Sequence, residues 1–317
     1  MYKLSVIIPI FNEGENVIPL SQEIKETLIP LISGKIIKDY EIIFVNDGSK
    51  DNTQNILEEI NKKDKKIRFI QFRKNFGQTP ALKAGFENSK GDLIITMDGD
   101  LQNDPKDIPR LIKKLEEGYD VVSGWRLKRR DKFLKKINSK IMNNLRRKMI
   151  GDYLRDYGCS LKIYRKECIK DLELFGELHR YITAYLYIKG YKIGEIPVHH
   201  RHRKFGKTKY KQIGRGVNGI LDLFYLKYWA SYSSRPLHFF GRIGIYQWIL
   251  SFIIIIEQIV KAILIKRLEL GPLLVLAAVL GLSGLLFIIF GFLSETMSRV
   301  YFKGEKKIYN IKKTSQN

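Results

Sequence analysis

Two long apolar segments near the C-terminus constrain the fold of this chain more than any other feature. Residues 243–264 read IGIYQWILSFIIIIEQIVKAIL, and residues 271–293 contain no charged side chain. A helix of about 20 apolar residues is long enough to cross the hydrocarbon core of a bilayer. Glu257 and Lys261 interrupt the first segment, but they are four residues apart and can pair on one helix face. We therefore predict a transmembrane hairpin within residues 241–298, with two buried core helices as the alternative.

Basic residues predict the orientation of the hairpin and the nature of the partners. The tail, residues 299–317, carries six lysine and arginine residues. Because such residues favour the cytoplasmic side of a membrane, we expect an integral membrane protein whose N-terminal domain and both termini are cytoplasmic. The whole chain has 56 Lys and Arg against 33 Asp and Glu, a formal net charge of +23. This charge predicts an anionic partner, which is a nucleic acid, a phosphate-bearing substrate or a membrane surface.

Composition excludes two other classes of protein. Hydrophobic residues make up 44% of the chain, whereas disordered chains are poor in them. The only cysteines are Cys159 and Cys168, and their spacing indicates neither a disulfide framework nor a zinc site.

The N-terminal part alternates short apolar runs with helical patterns. The runs are 4–9, 41–45, 67–72, 92–97 and 120–124, and the helical patterns between them are 16–29, 53–61, 79–88 and 108–116. Short apolar strands separated by helices are typical of a parallel sheet covered on both faces. The sequence therefore predicts an α/β fold with a mostly parallel, doubly wound sheet.

Polar clusters follow four of these predicted strands. They are the residues 12–13, 46–49, 73–75 and 98–100. Ligands of parallel sheets bind beyond the carboxyl ends of the strands, so these clusters are expected to form one site. The one G-x-G-x-x-G string, residues 214–219, follows none of the predicted strands, which argues against a nicotinamide or flavin cofactor.

The strongest chemical signal is the pair Asp98 and Asp100, which flank a glycine after the fourth strand. In an extended chain the two carboxylates point the same way, and Gln102 adds a third oxygen two residues later. Oxygen ligands of this kind suit Mg²⁺ or Mn²⁺, which bind through carboxylates and substrate phosphates. A solvated acidic turn is the alternative interpretation.

Several motifs together resemble one enzyme family. VIIPIFNEGENV, FVNDGSKDNT, NFGQTPALKAGFENSKGDLIITMDGDLQNDP and VSGWR, in this order and spacing, resemble glycosyltransferase family 2. The likeness covers residues 4 to about 210 and is greatest to the dolichol- or polyprenyl-phosphate hexosyltransferase branch, of the dolichol-phosphate mannosyltransferase kind. It implies a GT-A nucleotide-binding domain over residues 1–210. Asn46 and Gly99 depart from the residues usual in the family, and the Asn46 change leaves the base preference open.

The resemblance also implies a donor site for a nucleotide-sugar. Asp98, Asp100 and Gln102 would hold the metal ion, and Asp98 would also approach the ribose. Asp47 would accept a hydrogen bond from the base. The remaining donor contacts implied by the resemblance are Pro9, Asn12 and Glu13 beside the nucleotide, and Arg203 and Lys209 at the phosphates.

The acceptor site implied by the resemblance recognises a lipid phosphate through Arg126, Lys135 and Ser139. A phosphomonoester has a second pKa of about 6, so it is already a dianion at neutral pH and needs no general base. Positioning and electrostatics can then carry most of the reaction. Asp156 is the candidate if a carboxylate assists as a catalytic residue, and a loop-capping role is the alternative.

Two basic segments are expected near the membrane. Residues 126–148 contain eleven Lys and Arg against one Asp, with apolar residues at three- and four-residue steps. This pattern predicts a basic amphipathic segment over 126–150 that lies in a headgroup layer, or else packs on the core. A nucleic-acid surface is rejected because the chain carries apolar spans and a carboxylate pair. The second basic segment, around 199–211, is interpreted as a loop beside phosphates rather than a histidine metal site, and 211–240 as interfacial helices.

The sequence therefore predicts a metal-dependent transferase, and the resemblance to the family implies that it acts with inversion. It would move a hexose from a UDP- or GDP-linked donor to a polyprenyl phosphate at the cytoplasmic leaflet. A processive polysaccharide synthase is one alternative, although the expected Q-x-x-R-W motif lacks its tryptophan after Arg215. A non-catalytic membrane scaffold is the other alternative, and a homo-oligomer stays possible.

Overall fold

The computed structural model describes residues 1–127, 144, 147, 149–151, 153–170, 172, 174, 176, 178–203, 215–266 and 271–303. The chain divides into two compact units, Met1–Leu223 and Phe224–Asn317. Three residues predicted for the site, Lys135, Ser139 and Lys209, lie outside the described residues. The same is true of most of the basic segment 126–150 and of the tail from residue 304 onward.

Within the described residues, the first unit contains one seven-stranded sheet in the order β3-β2-β1-β4-β6-β5-β7. The strands are β1 (Tyr2–Ile10), β2 (Ile37–Asn46), β3 (Ile67–Gln71), β4 (Leu93–Thr96), β5 (Val121–Arg126), β6 (Lys162–Arg165) and β7 (Ile193–Val198). The helices are α1 (Gly14–Ser33), α2 (Thr53–Lys63), α3 (Gln78–Glu87), α4 (Ile108–Glu116), α5 (Lys166–Lys170) and α6 (Ile182–Ile188), followed by α7 (Arg215–Tyr232), which crosses into the second unit. Two short 3₁₀ helices span Pro105–Asp107 and Leu178–Tyr181.

The predicted mostly parallel sheet is confirmed. Strand β1 pairs in parallel with β2 and β4, and β2 pairs in parallel with β3. Strand β6 is the exception, because it runs antiparallel to both β4 and β5. The carboxyl ends of β1, β2, β4 and β5 therefore meet at one edge of the sheet, and so does the amino end of β6.

The alternation of side chains along β1 explains why helices cover both faces. Val6 and Ile8 are fully buried in one apolar cluster with Ile24 of α1. Ile7 faces the opposite side, where α3 packs so closely that a Cβ on Gly85 would lie 2.3 Å from Ile7 Cγ2. This burial of both faces is the arrangement expected of parallel strands with nearly continuous apolar sequences.

The second unit contains two helices that are long and apolar enough to cross a membrane, α8 (Pro236–Ile265) and α9 (Pro272–Lys303). Only 11% of the most apolar window of each helix is buried, which argues against the alternative of two core helices. Both helices extend beyond the apolar segments 243–264 and 271–293, so residues 236–240 belong to α8. The predicted pair is present, with Lys261 Nζ 2.5 Å from Glu257 Oε1.

Small residues let α8 and α9 approach each other closely. Trp248 Nε1 donates to the Gly281 carbonyl at 2.9 Å, and Ser251 Oγ donates to the Ala277 carbonyl at 2.7 Å. A Cβ on Gly244 would lie only 2.6 Å from the Gly284 carbonyl oxygen. Close backbone approach at small residues, with polar side chains bonding across the pair, is typical of helices packed in membranes.

Replacing Gly244 with alanine is therefore expected to destabilise the hairpin by about 1–3 kcal/mol, the usual cost of overpacking. Thermal unfolding of the full chain in detergent would measure it. Gly281→Ala is the matched control, because a Cβ there would lie 3.5 Å from its nearest neighbour, Ser251 Oγ. Equal melting temperatures for the two variants would contradict this packing.

Candidate active site

A cleft of about 540 Å³ lies in the first unit at the edge of the sheet where β1, β2, β4 and β5 end. Eight residues predicted for the site line it, namely Pro9, Glu13, Asp47, Asp98, Asp100, Gln102, Arg126 and Arg203. Asn12 and Asp156 are not among the lining residues, but each bonds to a loop or side chain that borders the cleft. The structure thus brings the predicted residues together, while the role of each stays a prediction.

The turn that follows β4 positions Asp98 and Asp100. The expectation of an extended chain through this pair is wrong, because β4 ends at Thr96, the chain bends at Gly99 and Asp100, and Leu101 has a left-handed φ of 62°. Side chains cap the turn instead: Asn103 Oδ1 accepts from Asp98 N at 3.0 Å, and Asp100 Oδ1 accepts from Gln102 N at 3.1 Å. The second of these bonds closes an Asx turn, and side-chain bonds to the backbone of this kind compete with the pairing that would extend the strand.

Two carboxylates and one guanidinium dominate the charge at the centre of the cleft. Asp100 is only 7% exposed, and burial, followed by the negative charge of Asp98, raises the pKa of its carboxyl. Arg203 Nη2 lies 2.7 Å from Asp100 Oδ2, and Arg203 Nη1 lies 3.7 Å from Glu13 Oε1. Two adjacent carboxylates that repel each other form a donor set that suits a hard divalent cation.

Arg203 reaches the cleft on the segment that follows β7, the edge strand of the sheet beyond β5. The segment 199–203 follows β7 and runs back along the strand ends, where His200 forms an antiparallel bridge with Asn103 and Arg201 N donates to the Gln102 carbonyl at 2.8 Å. His199 Nδ1 lies 3.1 Å from Asp107 Oδ1. Among the described residues, no group of three or more His, Cys, Asp or Glu side chains is placed to hold a metal ion.

Asp47 organises the loop after β3. Its carboxylate accepts from Phe76 N at 2.7 Å, from Gly77 N at 2.9 Å and from Asn75 Nδ2 at 2.8 Å. Burial nevertheless raises the pKa of Asp47. Gly48 has a φ of +70°, and a Cβ there would lie 2.3 Å from the carbonyl carbon of Lys74. Asp47 therefore supports one wall of the cleft, and its predicted contact with a base stays a prediction.

Asn12 joins the loops that follow β1 and β2. It has a left-handed φ of 52°, its backbone N–H donates to Ser49 Oγ at 2.8 Å, and its Oδ1 accepts from Lys50 N at 2.7 Å. These bonds hold the two loops in register beside the cleft. A role for Asn12 in nucleotide binding stays a prediction.

Arg126 and Asp156 form a two-pronged ion pair at the end of β5. Nε lies 2.6 Å from Oδ2 and Nη2 lies 2.9 Å from Oδ1. Asp156 Oδ1 also accepts from Gly158 N at 3.1 Å, which is the bond expected of a loop-capping aspartate. Both oxygens of Asp156 are thus occupied, and this favours positioning of Arg126 over action as a base.

Sequence reasoning missed a second group of lining residues. They are Tyr157, Gly158, Cys159, Ser160, Lys162, Tyr164, His179, Arg180 and Ile182. Lys162 and Tyr164 belong to β6, a four-residue strand with a basic residue at each end, which hides its apolar character. Residues 157–160 come from an irregular segment, and His179, Arg180 and Ile182 from a short 3₁₀ helix and the first residue of α6, which are too short to give a clear periodic signal.

Burial changes the pKa values of two basic residues in this group, Lys162 and His179. Lys162 is 4% exposed, and burial lowers its pKa. Burial, and then the positive charges of Arg180 and Lys162, lower the pKa of His179 to about 3. His179 is therefore neutral at pH 7, and its Nδ1 lies 2.8 Å from Thr79 Oγ1.

The α/β sheet, its cleft and the carboxylate pair at the centre define a glycosyltransferase of the GT-A fold. The sequence matches the model of the family described as glycosyl transferase family 2 over residues 5–173, and the chain belongs to this family. It is 39% identical over 309 residues to dodecaprenyl-phosphate galacturonate synthase of Rhizobium johnstonii. That alignment covers 96% of this chain and 90% of the relative, so it includes the apolar helices.

Solved structures share the fold of the first unit. Glucosyl-3-phosphoglycerate synthase from Mycobacterium tuberculosis, in complex with Mn²⁺ and UDP-glucose, superposes with a TM-score of 0.52 at 17% identity, covering 71% of this chain and 78% of that one. The UDP complex of the same enzyme gives a TM-score of 0.54 at 17% identity, covering 71% and 80%. At this identity the likeness establishes the fold alone.

Proposed function

We propose that this protein transfers a hexose from a UDP- or GDP-linked donor to a polyprenyl phosphate, with inversion, at the cytoplasmic face of a membrane. The observation that carries the proposal is the likeness to dodecaprenyl-phosphate galacturonate synthase, which extends over 96% of the chain. It includes both the cleft and the two apolar helices. A lipid acceptor explains why a nucleotide-sugar enzyme carries such helices.

The cleft supports a donor site centred on the carboxylates after β4. Asp98, Asp100 and Gln102 would hold Mg²⁺ or Mn²⁺, and the buried pair of carboxylates fits a divalent ion. When bound, the ion supplies Lewis-acid stabilisation of the charge that develops on the leaving diphosphate. Arg203 adjoins Asp100, which supports its predicted contact with the same diphosphate. Mn²⁺ accompanies UDP-glucose in the mycobacterial enzyme, which supports the use of a divalent ion here.

The acceptor phosphate would enter from the side of β5. Arg126 lines the cleft there, and Asp156 fixes its guanidinium while other N–H donors stay available. Because the phosphate is a dianion at neutral pH, the chain has to orient it rather than deprotonate it. Lys135 and Ser139 in the basic segment 126–150 would complete the acceptor site, and Lys209 would contact a phosphate.

The identity of the transferred sugar is the part of the donor that the cleft and the family do not specify. The relative in Rhizobium makes a galacturonate product, so a hexuronate is a candidate beside neutral and amino hexoses. A hexuronate differs from its parent hexose by one negative charge, which the charges lining the cleft can recognise.

The purified full chain in detergent is expected to glycosylate a short-chain polyprenyl phosphate when offered a panel of UDP- and GDP-sugars. Chelation of divalent ions should abolish the transfer, and Mg²⁺ or Mn²⁺ should restore it. The matched control is the same polyprenol without its phosphate, which should not react. Mass spectrometry of the lipid product separates the outcomes: a ladder of sugars would indicate a processive synthase, and no product from any donor would indicate a scaffold.

A further inference from the structure

The order of the strands assigns each part of a nucleotide-sugar to a part of the cleft. Asp47 and the loop 75–77 lie at the end of β2, and the carboxylates that would hold the metal ion beside the diphosphate follow β4. In the sheet order β2-β1-β4-β6-β5, the next strand beyond β4 is β6. A donor whose diphosphate lies at β4 and whose base lies toward β2 therefore places its hexose over β6.

Lys162 occupies that position. It is the first residue of β6 and pairs with Thr96, the last residue of β4, so it lies at the same edge of the sheet as Asp98. On its other side it pairs with Ser123 of β5, three residues before Arg126. Lys162 thus lies between the strand that carries the predicted metal ligands and the strand that carries the predicted acceptor contact.

The charge at this end of the cleft is positive. Lys162 is 4% exposed and lines the cleft, and its Nζ donates to the Tyr157 carbonyl at 3.3 Å. Among the described residues, no carboxylate lies within ion-pair distance of Lys162 Nζ. Arg180 lines the same end of the cleft, and the nearby Asp156 is held by Arg126. A buried ammonium is costly unless an opposite charge pairs with it.

We propose that Lys162, assisted by Arg180, is the specificity-determining residue that recognises the carboxylate of a hexuronate donor. The inference rests on the proposed function and adds the class of sugar and the side chain that selects it. A neutral hexose offers hydroxyl groups only, and these leave a buried ammonium without a counter-charge. A hexuronate carboxylate provides the charge and accepts hydrogen bonds from both cations.

Two phosphate groups, the acceptor phosphate and the donor diphosphate, are the alternative ligands for Lys162. The acceptor phosphate would approach the anomeric carbon from the side opposite the diphosphate, so the sugar separates it from β4. Lys162 is nearer to β4 than Arg126 is, because β6 lies between β4 and β5. The position of Lys162 therefore favours contact with the sugar over contact with the acceptor phosphate. The experiment below distinguishes three ligands for Lys162: the sugar, the acceptor phosphate and the donor diphosphate.

The experiment compares nucleotide-linked galacturonate with galactose, and glucuronate with glucose, on the base that the donor panel selects. The wild-type full chain should prefer a uronate. In Lys162→Met, kcat/KM for the uronate should fall about 100-fold, the effect of leaving one partner of a buried charge pair alone. The kcat/KM for the neutral donor should change less than about 3-fold. The affinity for the free nucleoside diphosphate, measured by calorimetry, should be unchanged. Methionine resembles lysine in volume, so the variant should fold, and its melting curve checks this.

Lys166→Met is the matched control, because Lys166 is exposed on α5 and does not line the cleft. A wild-type preference for neutral sugars would overturn the inference and leave the proposed function intact. If kcat/KM of Lys162→Met fell equally for both donors and the acceptor KM rose, Lys162 would contact the lipid phosphate. If the affinity for the nucleoside diphosphate became weaker, Lys162 would contact the diphosphate. If the wild type transferred no sugar to the lipid phosphate from any donor, the proposed function itself would fail.

Discussion

Replacing Asp100 with asparagine is expected to lower kcat/KM by at least about 10²–10³-fold, the effect of removing one stabilising group from a developing negative charge. Asparagine keeps an oxygen that can accept from Gln102 N, so the turn after β4 should survive. What it loses is one of the two negative charges that suit a divalent ion. Transfer to a short polyprenyl phosphate measures the activity, and calorimetry with Mn²⁺ and a nucleoside diphosphate measures binding.

Asp92→Asn is the matched control for this variant. Asp92 directly precedes the same strand, β4, but lies at the opposite edge of the sheet, where it accepts from Lys3 N at 2.8 Å. The change in charge is the same, and the distance from the cleft should leave transfer within a few-fold of wild type. Near-normal transfer by Asp100→Asn, with unchanged dependence on Mn²⁺, would contradict the metal assignment.

Much of the fold could be predicted because its strands are short, apolar and separated by regular helices. Few folds are compatible with such a pattern, because a sheet of parallel strands must be covered by helices on both faces. Strand β6 was missed because Lys162 and Arg165 give it two charged residues out of four. It joins the sheet through pairing with β4 and β5. These strands are distant from β6 in the sequence, so the residues of β6 alone do not predict the pairing.

The candidate site was predicted in part for the same reason. Residues at the ends of predicted strands, such as Asp47 and Asp98, gather in the cleft because the topology brings those ends together. Lys162 comes from the strand that was missed, and His179 and Arg180 come from a short 3₁₀ helix, so only the tertiary structure brings them to the site. The turn after β4 likewise depends on a side-chain bond from Asn103, which an argument from strand geometry does not include.

Asp156→Ala is expected to destabilise the protein by about 3–5 kcal/mol, because removing one partner of a buried ion pair leaves the other charge unpaired. The side chains of Arg126 and Asp156 are 16% and 10% exposed, and two hydrogen bonds join them. The variant should also raise the acceptor KM, since Arg126 would lose the partner that fixes its guanidinium. Chemical denaturation measures the free energy of unfolding, and kinetics with varied lipid phosphate measure the acceptor KM.

Asp156→Asn separates the two roles that the sequence left open for this residue. An amide oxygen still accepts from Arg126 and from Gly158 N, so a positioning role predicts a modest rise in the acceptor KM and little change in kcat. A general base cannot be replaced by an amide, so that role predicts a fall in kcat of about 10²-fold or more. The double variant Arg126→Met, Asp156→Ala should recover much of the stability lost by Asp156→Ala, because no charge is then left buried, but it should not recover acceptor binding. A large fall in kcat for Asp156→Asn with an unchanged acceptor KM would show that the carboxylate takes a proton, and that the lipid phosphate does not react as the dianion alone.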